Sequence, residues 1–61
     1  MNTRAYRTAN IIVRGKVCIV EVHVKAAGLW EARGSLDGSM IVAEGTSSGG
    51  ALAIWRQMAG A

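Results

Sequence analysis

The sequence predicts an α+β domain in which a four-stranded antiparallel meander is followed by one C-terminal helix packed on one face of the sheet. Three observations lead there. β-Branched residues crowd the interval from Ile11 to Val24, and such side chains suit a pleated strand and lose χ1 freedom in a helix. Turn-forming pairs interrupt the strand-like runs at Arg14-Gly15, Ala27-Gly28 and Asp37-Gly38. Beyond Glu44-Gly45 the apolar period changes, and Ala51, Leu52, Ile54, Trp55, Met58 and Ala59 recur at helical spacing.

Residues 1–9 are polar and basic without periodicity and read as a flexible arm, so the folded domain is expected to span residues 10–61. The first strand is placed at 10–14 on Ile11, Ile12 and Val13. Gly15 supplies the positive φ of a tight turn into a strand at 16–26. Alternation puts Cys18, Val20, Val22 and Val24 on one face of that strand, and Val17, Ile19, Glu21, His23 and Lys25 on the other. A third strand runs from Leu29 to Leu36. Asp37-Gly38 then predicts a two-residue hairpin, since a type I′ turn needs two residues that tolerate positive φ. Its fixed register sets Leu36 opposite Ser39, Gly34 opposite Ile41 and Ala32 opposite Ala43 in a strand at 39–44. The same register pairs Arg33 with Val42 and Ser35 with Met40. The helix is expected to open on Thr46 or Ser47 as N-cap. Gly49 and Gly50 weaken its first turn by about 1 kcal/mol each relative to Ala. Arg56 near its end complements the macrodipole, and Gly60 stops it.

Sixty-one residues suffice for one small domain, which excludes a multi-domain enzyme. The composition, 51% hydrophobic and 18% charged, is too apolar for a disordered tail. One cysteine, Cys18, and one histidine, His23, provide neither a disulfide framework nor a Cys/His zinc site. No catalytic, metal or cofactor site is therefore expected. The net charge of +3 sits at the front, where Arg4, Arg7, Arg14 and Lys16 occur without an acid in residues 1–16. These four are the candidate nucleic-acid contacts. No apolar run is long enough for a secretory signal or a membrane-spanning helix, and with the unpaired thiol this predicts a cytoplasmic protein without a membrane partner.

Other constellations read as structure. Gly45-Thr46-Ser47-Ser48-Gly49 fits the G-x-S-x-G pattern of a nucleophile elbow between strand and helix. Its triad partners would have to come from His23 and Asp37, and the chain has no room for the parallel sheet that such an elbow uses, so a glycine-softened helix cap is the simpler reading. Free amides at that helix start are an unspecific anion site. His23, flanked by Glu21 and Lys25, belongs to a polar strand face; Cys18 is a small apolar residue; Trp30 and Trp55 are expected in the core.

One helix shields one face of the sheet. The other carries Ile12, Val17, Ile19, Met40 and Val42, enough apolar surface to call for a partner. The primary expectation is a noncatalytic protein-interaction module that forms a homodimer through this face, with another protein as a possible partner. The alternative is a nucleic-acid-binding dimer that uses the basic arms.

Val20 through Ala59 resembles the HicB-like antitoxin fold, a partial RNase H-like sheet of three strands and a helix. The resemblance rests on Gly28-Leu29-Trp30-Glu31-Ala32 in a central strand, and on Glu44-Gly45-Thr46 ahead of the Ala51 helix. It implies a protein that binds another protein and performs no catalysis. That family's separate DNA-binding segment has no counterpart here. The order of the last strands and helix is also similar to that of a double-stranded RNA-binding domain, but Ser47-Ser48-Gly49-Gly50 lacks the lysines which that domain places at its helix start.

Overall fold

Two tight turns give the sheet its register. At Arg14-Gly15 and at Asp37-Gly38 both central residues have positive φ, 53° and 79° in the first and 54° and 81° in the second, the signature of type I′ hairpins. The computed structural model describes residues 6–60. In it, β1 (Tyr6–Val13), β2 (Lys16–Ala26), β3 (Leu29–Leu36) and β4 (Ser39–Gly45) form one antiparallel sheet in sequence order, followed by α1 (Ser48–Gly60). The ββββα architecture is the expected one. So is the β3–β4 register, with Gly34 opposite Ile41 and Arg33 opposite Val42.

The first strand starts earlier than the sequence suggests. Residues 6–9, read as part of a flexible arm, are paired strand: Tyr6, Arg7, Thr8 and Ala9 stand opposite His23, Val22, Glu21 and Val20. The eleven-residue β2 outreaches the apolar run of its neighbour, and pairing needs only the backbone donor and acceptor that each residue carries. The remainder of the expected arm, including Arg4, lies outside the described residues.

The β2–β3 hairpin contains a device that alternation alone does not announce. Partners in an antiparallel pair point to the same side, so the apolar even positions of β2 must meet the even positions of β3 for both to face the helix. The tight turn pairs Ala26 with Leu29, which joins even to odd. The register slips by one residue between Val24 and Ala26, leaving Lys25 as the extra residue of a bulge, and from there Val24 meets Trp30 and Val22 meets Ala32. The other two hairpins already match their faces and need no such correction.

Side chains of Val13, Cys18, Val20, Val22, Ala32 and Ala43 on the sheet, with Ala51, Trp55 and Ala59 from α1, make the core. Ile11, Trp30, Leu36, Ile41 and Leu52 pack around it, half-buried. The core is thin: four of its nine members are alanines, and Trp55, fully buried, is its one large side chain. The indole Nε1 donates to the Ile41 carbonyl at 2.9 Å, which satisfies its polar atom. Helix and sheet approach closely at the start of α1, where a β-carbon on Gly45 would stand 2.6 Å from the Ala51 nitrogen.

Ser47, not Thr46, is the N-cap: its Oγ accepts from the Gly50 amide at 3.0 Å, and its carbonyl accepts the Ala51 amide at 2.9 Å. At the other end Arg56 falls just short of the last turn, which holds no basic residue. A cation arrives from elsewhere, since Arg14 in the β1–β2 turn donates through Nη2 to the Gly60 carbonyl at 3.1 Å. No helix among the described residues is long and apolar enough to cross a membrane.

Candidate functional site

The helix lies on one side of the sheet, and the other side is open. Ile12, Val17, Ile19 and Met40 stand on the open side with 60 to 65% of their surface exposed, and Val42 with 38%. The sequence assigns these five side chains to the face without the helix, and the structure puts them there. Ile12 and Val17 are cross-strand partners at one end of β1 and β2. Ile19 and Met40 flank Ser35 in a shallow depression that also includes Glu21 and Arg33. Val42 sits opposite Arg33. The apolar strip thus runs obliquely from the β1–β2 turn toward the edge strand β4.

Charged residues bound the strip. Near the β2–β3 turn, Glu31 is only 9% exposed although it lies on the face without the helix. His23 Nε2 stands 3.1 Å from its Oε1, an ion pair whenever the imidazole is protonated, and Lys25 Nζ lies 3.5 Å from its Oε2. Lys25 also donates to Glu44 at 2.9 Å, so four side chains from three strands form a chain of contacts. The hydrogen bond and charge of Glu44, then the charge of Glu31, hold the Lys25 ammonium above its ordinary pKa, with a smaller opposing effect of burial. This network keeps one end of the face polar.

The sequence singles out His23 with Glu21 beside it on the same strand, but the partner in space is Glu31 on the neighbouring strand. The bulge at Lys25 is what brings His23 opposite Glu31. Without the slip, the turn register would set His23 against Ala32. The signal was present in the mismatch of the two alternations.

The four candidate nucleic-acid contacts do not form a cluster among the described residues. Arg4 lies outside them, and Arg7 is exposed on β1. Arg14 is bonded to Gly60, and Lys16 donates to Asp37 across the two type I′ turns. Ser47 of the G-x-S-x-G segment is engaged as the helix cap, while the sheet separates it from His23 on the open face. Cys18 is buried in the core as a free thiol. No group of three or more His, Cys, Asp or Glu side chains suited to a metal ion occurs among the described residues. The chain matches no protein-family model, no curated protein and no solved structure.

Proposed function

We propose that the protein is a noncatalytic interaction module that associates with a second copy of itself through the open face of its sheet. The observation that carries this reading is the strip of Ile12, Val17, Ile19, Met40 and Val42, an exposed set of aliphatic side chains on a regular, well-paired surface. A thin core adds weight, because small chains with few large buried residues commonly gain stability by oligomerising. The second copy supplies a surface of the same shape, as an isologous interface requires.

Size sets the strength of such a contact. Strands about 4.8 Å apart, with residues rising about 3.3 Å each, give a face of about 19 by 25 Å. Full overlap would remove on the order of 1,000 Å² from water, at the lower edge of specific interfaces. An interface of this size suits a reversible dimer whose population rises with concentration, with monomer at high dilution.

Light scattering across a concentration series tests this directly. The mass should rise from one chain toward two, and Ile19→Lys should hold the protein at one chain with its fold intact, since Ile19 contributes little to the core. A parent protein that stays monomeric at several hundred micromolar would refute the proposal.

A further inference from the structure

Glu21 and Arg33 are direct cross-strand partners on the open face, between Ile19 and His23 along β2 and next to Val42 on β4. Both are exposed. Every other acid of the chain has an ion-pair partner: Asp37 has Lys16, Glu31 has Lys25 and His23, and Glu44 has Lys25. Glu21 has none among the described residues, and neither does Arg33, although the two stand side by side. Their side chains project from the sheet toward the place where a second copy would lie.

We infer that Glu21 and Arg33 form two reciprocal ion pairs between subunits and so fix the orientation in which the second copy docks. This rests on the proposed association through the open face. In a symmetric pair of chains, if residue i meets residue j, then j meets i. A two-fold axis lying in the interface and running between β2 and β3 exchanges these strands. It brings Glu21 against Arg33 of the partner subunit, and Arg33 against the partner's Glu21. One acid beside one base is self-complementary about such an axis, whereas two like charges are not. Stacked sheets stand about 10 Å apart, a gap that a glutamate and an arginine span together.

Energetics select this arrangement over others that overlap the same apolar strip. Covering Glu21 or Arg33 with aliphatic side chains would strip each of water without compensation, which is a heavy penalty for an ion. The reciprocal pairing replaces water with a charge-assisted contact for all four groups. Electrostatic matching of this kind governs orientation and partner choice more than affinity, so the pair acts as a register lock on an interface held by Ile12, Val17, Ile19, Met40 and Val42.

The test uses Glu21→Arg and Arg33→Glu, each checked for folding by circular dichroism and measured alone and mixed by native mass spectrometry and light scattering. Each variant alone should dimerise at least about ten-fold more weakly than the parent, because like charges then meet across the axis. An equimolar mixture should form a one-to-one heterodimer of near-parental affinity. If Arg33→Glu, which sets two acids side by side on one sheet, fails to fold, Glu21→Gln, Arg33→Gln and their double variant replace it. Coupling then shows as a double variant weakened less than the product of the single effects. Parental dimerisation by both charge-reversed variants, or strictly independent effects in the neutral set, would overturn the reciprocal pairing and leave the open-face association standing. A parent that never dimerises removes both.

Discussion

The indole of Trp55 rests on Gly34. A β-carbon at position 34 would stand 3.0 Å from Trp55 Cζ2 and 3.1 Å from both the Ile19 carbonyl oxygen and Val20 Cγ2. The missing side chain on β3 is therefore what lets the one large core residue of α1 sink fully into the sheet and reach the Ile41 carbonyl. Gly34→Ala should lower stability by about 1–3 kcal/mol through overpacking. That loss exceeds the gain of at most about 1 kcal/mol from a stiffer unfolded chain. Urea unfolding followed by tryptophan fluorescence measures the balance, and a variant as stable as the parent would mean that the indole has slack.

Much of this fold is legible in the sequence because its turns name themselves. Asp37-Gly38 and Arg14-Gly15 specify both the hairpins and the faces of the strands they join, and the period change after Gly45 marks the helix. What alternation hides is of two kinds. The bulge at Lys25 answers a parity conflict between a tight turn and two apolar faces, and it decides that His23 meets Glu31. That conflict can be read only once the turn length is known. The contact of Trp55 with Gly34 depends on where a helix crosses a sheet, which no local pattern encodes. Residues 6–9 do not read as strand for a third reason, since their strand is imposed by the length of β2 rather than by their own composition. The apolar strip of the open face was legible, because it is the remainder once the helix-facing positions are subtracted.

Lys25 gives the protein a contribution to stability that is lost at alkaline pH. Its ammonium is held above the ordinary value of 10.5 chiefly by Glu44 and then by Glu31. A group whose pKa rises on folding contributes stability that is fully present below its unfolded pKa and is lost as the pH climbs through the folded one. Glu44→Gln removes the main cause. The stability difference between parent and variant should hold steady from about pH 7 to about pH 9 and shrink above pH 10.5 as the lysine of the parent also deprotonates. Urea midpoints for the two proteins across that range provide the comparison, and a difference that persists unchanged at the alkaline end would deny the coupling.

Arg14 serves two structures with opposite demands. As a residue with φ of 53° in a type I′ turn it sits in a region that asparagine or glycine occupies at lower cost. As the donor to the Gly60 carbonyl it supplies the positive charge that the last turn of α1 lacks. Arg14→Ala surrenders the cap while retaining the unfavourable backbone, and it should destabilise by about 1 kcal/mol. Arg14→Asn also surrenders the cap but eases the turn, so it should be more stable than Arg14→Ala by several tenths of a kcal/mol. Amide hydrogen exchange separates the two effects, because both variants should lose protection in the final turn of the helix while only the asparagine variant gains protection in the β1–β2 hairpin. If the amides of residues 57–60 exchange at the parental rate in both, the guanidinium is not what holds the end of the helix against the sheet.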